Sequence, residues 1–334
     1  MKTDFLKTEQ SISFVKETFE KLLLKQLDLY KISAPLMVLD GTGINDDLNG
    51  IERVVEFPIK ALQEQKAVIV NSLAKWKRLR LKELGVEADK GILTDMRAIR
   101  PDEDFSSIHS IYVDQWDWEK HLTSEQRSLS TLKSEVMKIY EAIKKTELLV
   151  QEKYPEHKAI LPDQITFIHA EELLALYPAL TPRERESEII KKHKAVFIIG
   201  IGGKLSSGEV HDGRAPDYDD WTTSTVNGFK GLNGDIIVWH PELKSAFELS
   251  SMGIRVDKDA LVKQLEISGK SSRKELFFHQ QILNDKLTQS IGGGIGQSRL
   301  CMFMLKRKHI GEVQVSLWPE SIRNNMKNQG VFLM

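Results

Sequence analysis

The stretch IGGGIGQSRL (291–300) offers the most chemistry: four glycines in five positions, then an arginine, then an apolar helical run. A strand without Cβ atoms lets a flat ligand lie close to its backbone. Arg299, at the head of the next helix, can present its planar guanidinium to a base face or to phosphate oxygens. That combination suits a nucleotide held on a sheet; a tight structural turn is the other reading. Two better-known nucleotide patterns fail. Arg299 stands where a dinucleotide fingerprint needs its third small residue, and GIGGKLSSG (200–208) lacks the spacer that a P-loop places before Gly-Lys. Cys301 is the only cysteine, which excludes a disulfide framework, and its apolar neighbours predict a buried, inert thiol. His109, His169, His211 and His240 form no zinc motif.

These residues need elements to hold them. Phe14, Val15, Phe19, Leu22, Leu23 and Leu27 share one face of a helix expected from Ser11 to about Leu29. SAPLMVL (33–39) reads as a strand, which Pro35 places at an edge or a break, and GTGINDDLNG (41–50) reads as a loop. KAVIVN (66–71) predicts a strand leading into a helix from Ser72 to Leu84, whose basic run KWKRLRLK (75–82) reads as a solvated face. ILTDMRAIR and HSIYVDQWDWE predict two strands around a charged loop. Thr123 and Gln126 suggest a capping box before a long helix ending near Tyr154. Strands follow at 164–169 and 194–200, then a polar passage to about residue 225 that suits a binding loop or lid, or poor order. GDIIVWH and AFELSSMGIRV face each other as a hairpin, and EVQVSLW (312–318) looks like a last strand. Hairpins outnumber strand–helix–strand units, so the expected class is α+β, an antiparallel sheet flanked by helices.

The 334 residues, 41% of them hydrophobic, show neither repeats nor a Pro/Ser-rich linker, and one domain over 1–334 is expected. Lys and Arg total 47 against 48 for Asp and Glu, a net charge of -1 that argues against bulk nucleic-acid binding. No stretch reaches the roughly 18 apolar residues of a membrane span, and MKTDFLKTEQS lacks a signal-peptide core. A cytoplasmic protein without membrane or nucleic-acid partners is the expectation.

Taken together, the segments resemble a known family. Gly292–Leu305 resembles the third signature motif of class II aminoacyl-tRNA synthetases, Arg100 with Glu103 the second, and the helix ending at Pro35 the dimer-forming first. The closer resemblance is to the bacterial ammonia-dependent asparagine synthetases, relatives of the aspartyl and asparaginyl enzymes. RPDED (100–104), YVDQWDWE (112–119), APDYDDW (215–221), GLNGDI (231–236), FELSSMGIRV (247–256) and IGGGIGQSRL (291–300) carry it, in order, over nearly the whole chain. Two residues separate Arg100 from Glu103 where the tRNA synthetase motif has one, which fits the asparagine synthetase pattern.

The resemblance implies a single catalytic domain without an anticodon-binding domain, working as a homodimer. Its substrates are L-aspartate, ammonia and ATP, joined through a β-aspartyl adenylate with release of AMP and pyrophosphate. Arg100 should contact the α-phosphate, its alternative being a surface ion pair with Asp102 or Glu103. Glu103, Gly292, Gly293, Gly294, Gly296 and Arg299 should hold the nucleotide, and Asp235 with Glu248 should bind Mg²⁺. A hairpin turning near Glu242–Leu243 would set position 235 against 250, making Glu248 its diagonal neighbour; two solvated acids are the alternative. Asp46, Gln115, Asp117 and Asp219 should meet the substrate amine, and Ser251 with Arg255 its α-carboxylate. Ser72 and Lys77 are weaker substrate candidates, their alternative a helix cap and a solvent-facing lysine. Asp46 or Asp219 could hold ammonium and take its proton. No exposed cysteine serves glutamine hydrolysis, so free ammonia is the nitrogen donor. An aspartate-adenylating ligase with an RNA or protein acceptor, or a regulatory dimer without catalysis, are the rival functions.

Overall fold

The computed structural model describes residues 5–46 and 52–334. Helix α1 (Phe5–Leu27) buries Val15, Phe19, Leu23 and Leu27, the stripe its spacing predicts, and starts earlier than Ser11. Leu29–Lys31 forms β1, ahead of the expected strand at 33–39, of which only Met37–Leu39 (β2) is a strand, pairing with β4 (Gln65–Ile69), itself paired with β3 (Glu56–Ile59), in a small separate sheet, order β2-β4-β3. Residues 47–50 of the expected 41–50 loop lie outside the described residues.

Helix α2 (Ala74–Glu83) overturns the reading of its basic run. Lys75, Lys77 and Arg78 are at most 2% exposed. Charges so buried persist only where partners meet them: Arg78, for one, donates to the Val256 and Thr288 carbonyls. The charged-loop hairpin forms as expected, β5 (Gly91–Ile99) against β6 (Tyr112–Leu122). The Thr123–Gln126 capping box exists but closes a short 3₁₀ turn, while Ser128 caps α3 (Leu129–Lys153).

Strands β7 (Thr166–His169) and β8 (Ala195–Ile199) flank α4 (Ala170–Leu176) and α5 (Pro182–His193). The hairpin β9 (Asn233–His240) and β10 (Ser245–Ile254) precedes α6 (Lys258–Ile267) and α7 (Phe277–Leu283). The glycine strand is β11 (Gln289–Gly296), running into α8 (Gln297–Met304); α9 (Glu320–Asn328) lies near the end. Residues 312–318 are not a strand. Val315 and Leu317 are 69% and 73% exposed and no ladder pairs them, so the alternation that mimics a strand has no sheet to join.

The main sheet has the order β1-β5-β6-β11-β10-β9-β8-β7. From β5 to β8 every pairing is antiparallel; both edges, β1 on β5 and β7 on β8, are parallel, which the hairpin-based expectation did not foresee. One face packs against α1, α3 and α8 through Trp116, Trp118, Phe197, Ile236 and Phe247, with the Phe19 and Trp116 rings 4.8 Å apart. Each such buried side chain contributes about 1.5–3 kcal/mol. Alternation then sends Gln115, Asp117 and Glu119 to the opposite face.

Candidate active site

On that opposite face a cavity of about 330 Å³ opens over the centre of the sheet. Asp46, Ser72, Lys77, Arg100, Glu103, Gln115, Asp117, Asp219 and Glu248 line it, from six separate parts of the chain. Ser251, Arg255, Gly293, Gly294, Gly296 and Arg299 complete the set, so the structure gathers nearly every residue singled out. Asp235 and Gly292 do not line it, though Asp235 is paired across the sheet with the lining residue Ser251.

Within the protein the glycine strand also makes room for neighbouring side chains. A Cβ on Gly292 would fall 2.0 Å from Glu119 Oε2 and 2.5 Å from Arg255 Nη2. One on Gly294 would fall 2.5 Å from Gln115 Oε1 and 2.7 Å from Asp117 Oδ1. The missing side chains make room for polar groups of β6 and β10 to lie across β11. Gly293 turns to the core side, against Met252, and its carbonyl accepts from Lys77 Nζ at 2.9 Å.

Lys77 is therefore no solvated lysine: it is 1% exposed and pairs with Asp117 Oδ1 at 3.2 Å. Burial pulls its pKa below the usual lysine range. Asp117 keeps Oδ2 buried and without a partner among the described residues. Ser72 accepts from the Ala74 N–H at 3.1 Å, a turn-forming contact at the start of α2.

Alternating charges continue across the floor. Arg255 donates through Nε and Nη2 to Glu119 and through Nη1 to Asp219 Oδ1 at 2.5 Å. Arg214 reaches Asp219 Oδ2 at 3.5 Å and Asp235 Oδ1 at 2.5 Å. Burial sets the Glu119 carboxyl upward, but Arg255 outweighs it and holds it below the usual range.

The β9–β10 register corrects one expectation. Leu249 is an extra residue between Glu248 and Ser250, so Asp235 faces Ser251, not position 250. The two acids still feel each other. Burial, with the Glu248 charge adding to it against Arg214, pushes the Asp235 pKa up to about 6. Glu248 is held below the usual range, because Arg299 and Arg214 outweigh its desolvation.

Arg299 bonds to the Glu248 carbonyl at 3.2 Å, its carboxylate at 3.4 Å and His109 Nε2 at 3.0 Å. Burial and the adjacent Arg299 lower the His109 pKa to about 4, so its ring is neutral and Nε2 accepts. Arg100 donates to the Asn71 carbonyl at 3.3 Å and lies 3.9 Å from Glu103; Asp102, its other suggested partner, belongs to Arg53. Cys301 is buried, which pushes its thiol up to about 12 and leaves it inert, as expected.

Four participants escaped the sequence reading: Glu119, Arg214, Tyr218 and His109. Glu119 had a signal, since it continues the one-face series Gln115, Asp117. Arg214 immediately precedes the APDYDDW segment, and Tyr218 lies within it. His109 meets Arg299 across 190 positions, which no local pattern announces.

A family profile described as aspartate-ammonia ligase matches residues 6–330. An aspartate–ammonia ligase of Parabacteroides distasonis is 55% identical over 327 residues, covering 98% of this chain and 95% of the relative. One of Bacteroides fragilis is 54% identical over 331 residues, covering 99% and 96%. Among solved structures, asparaginyl-tRNA synthetase of Pyrococcus horikoshii with asparaginyl-adenylate superposes at TM-score 0.69 and 15% identity, over 93% of this chain and 70% of its own. Aspartyl-tRNA synthetase of Entamoeba histolytica gives 0.60 and 13%, over 92% and 57%. At those identities the likeness shows the fold, the class II synthetase sheet.

Proposed function

The chain belongs to the aspartate–ammonia ligase family and makes asparagine from aspartate, ammonia and ATP through an adenylate; on that premise we propose which groups carry each step. An oxygen of the substrate side-chain carboxylate bonds to the α-phosphorus, and the bond to pyrophosphate breaks. Arg100 neutralises the charge that builds on the α-phosphate. Arg299, steadied by His109 and Glu248, holds the nucleotide with Glu103 and the Gly293–Gly296 backbone.

The observation that carries the reading is Asp117 Oδ2, a buried carboxylate oxygen on the cavity wall that has no donor among the described residues. It suits the substrate ammonium group, with Gln115 beside it and Asp46 across the cavity. Ser251 and Lys77 face the α-carboxylate, with Ser72 at the margin. Arg255 supplies charge more than donors, since Glu119 and Asp219 occupy its guanidinium. Asp46 lines the cavity and its backbone carbonyl holds Asn71, so we assign to Asp46 the proton that ammonia gives up.

Asp235 and Glu248 would hold Mg²⁺. Burial, with the Glu248 charge adding to it, pushes Asp235 up to about 6, and a shared divalent cation would relieve both effects. No group of three or more metal-ligating side chains occurs among the described residues, so phosphate oxygens and water would complete the shell. Bound there, the ion would supply charge neutralisation along the triphosphate.

We also propose a single catalytic domain that forms a cytoplasmic homodimer with no nucleic-acid or membrane partner. The exposed Val315 and Leu317 support the pairing of copies. No helix among the described residues is long and apolar enough to cross a membrane. Aspartate carrying heavy oxygen in its side-chain carboxylate tests the chemistry: the label should pass into AMP, and unlabelled AMP would refute the adenylate.

A further inference from the structure

A second cavity of about 330 Å³ adjoins the first and shares Arg100, Glu103, Arg214 and Tyr218 with it. Asn71 walls the second cavity and not the first, at 1% exposure. Its Nδ2 donates to the Asp46 carbonyl at 3.0 Å. A carbonyl can only accept, so the amide cannot be turned round, and Oδ1 is the atom left over. That oxygen is buried and has no partner among the described residues.

Elsewhere on the wall Arg53 is committed to Asp102 and Arg214 Nη2 to Asp235, while Arg214 Nε, 3.5 Å from Asp219 Oδ2, makes no hydrogen bond among the described residues. Asp104, exposed on the rim, has no partner among the described residues. Arg100 Nε is an unpartnered donor on the shared wall, and Arg100 is assigned above to phosphate. Arg100 and Arg214 are both shared with the first cavity and its phosphates, whereas Asn71 Oδ1 belongs to the second cavity alone and calls for an N–H donor, which a small cation supplies.

We propose that this cavity takes up ammonium and passes it to the adenylate beside Asp46; the inference rests on the adenylate reading above. Ammonium enters past Asp104, donates to Asn71 Oδ1 and gives one proton to the Asp46 carboxylate. The freed lone pair forms the C–N bond to the β-carbonyl carbon. The C–O bond to AMP breaks with its electron pair leaving on the phosphate, and a second proton passes from nitrogen to solvent. An acidic mouth raises the local concentration of a cation but not of a neutral nucleophile.

Asp104→Asn and Asn71→Leu test this with three readouts: KM for ammonium, KM for hydroxylamine (neutral at the assay pH), and aspartate-dependent exchange of pyrophosphate into ATP without ammonium. D104N should raise the ammonium KM about threefold and leave that for hydroxylamine unchanged. N71L should raise the ammonium KM by about tenfold or more while exchange persists. An unchanged ammonium KM in D104N overturns the proposal even if N71L fails to fold. Loss of exchange in D104N equal to its loss of ammonium use would assign the cavity to pyrophosphate and also overturn it. Normal exchange in the unsubstituted protein keeps the adenylate reading intact in either case, whereas its absence there would remove both.

Discussion

Arg255 and Glu119 meet in a two-point ion pair beneath the glycine strand. Nε lies 3.0 and 3.1 Å from the two carboxylate oxygens, and Nη2 lies 2.7 Å from Oε2. Both residues are at most 2% exposed, and Asp219 closes the other side of the guanidinium. Arg255→Met would strand the buried Glu119 carboxylate and leave Asp219 with Arg214 alone. Removing one member of such a set costs about 3–5 kcal/mol, which urea unfolding should register as a lower midpoint with an unchanged slope.

The same pair explains Gly292. An added methyl must displace Glu119 Oε2, the end of a side chain already pinned by Arg255 and Ser290. Gly292→Ala should destabilise by about 1–3 kcal/mol, the usual range for overpacking. Gly294→Ala meets Gln115 and Asp117 instead. It should fold nearly as well but raise the KM for aspartate, because the groups assigned to the substrate amine must move. Equal KM values for aspartate in both variants would contradict that division.

How much of this was legible beforehand depends on the distance over which each signal acts. Two-residue alternation placed Gln115 and Asp117 on one face, and the hairpin around residue 242 was readable from the turn between its apolar runs. The family resemblance, not local pattern, brought Arg100, Asp219 and the glycine strand together. The bulge at Leu249 was invisible because it depends on how β10 fits two neighbours at once. The solvated reading of the basic run failed for a related reason: its Lys77 looks exposed until Asp117 and the Gly293 carbonyl, from two other elements, close over it. The parallel edges and the unpaired 312–318 segment fail alike, since propensity says nothing about whether a partner strand is free.

The two arginines should separate in kinetics. Arg100 is assigned to charge that grows at the α-phosphorus, so Arg100→Ala should lower kcat by about 10²–10³ with little change in the KM for ATP. Arg299 is tied to Glu248 and His109 before any ligand arrives and serves nucleotide binding in both ground and transition states. Arg299→Ala should mainly raise the KM for ATP. Reversal of the two patterns in steady-state assays would exchange their roles.

Asp235 predicts the pH dependence. Its pKa of about 6 means that the carboxyl is neutral below that pH and cannot help hold a cation. With aspartate saturating and Mg²⁺ too dilute to fill the site ahead of ATP, kcat/KM for ATP should be level above about pH 6 and fall about tenfold per unit below it. Glu248 raises this pKa and Arg214 lowers it. Glu248→Gln should therefore move the acid limb to lower pH, and Arg214→Met to higher pH, whatever either does to the plateau. Folding stability carries the opposite sign. A carboxyl whose pKa is raised on folding binds its proton more tightly in the folded chain, so its contribution is unfavourable above about pH 6 and is relieved as pH falls toward the unfolded value of about 4. Urea unfolding of the metal-free protein should show that slope shrinking in Asp235→Asn; an acid limb that ignores both Glu248→Gln and Arg214→Met would take Asp235 out of the metal site.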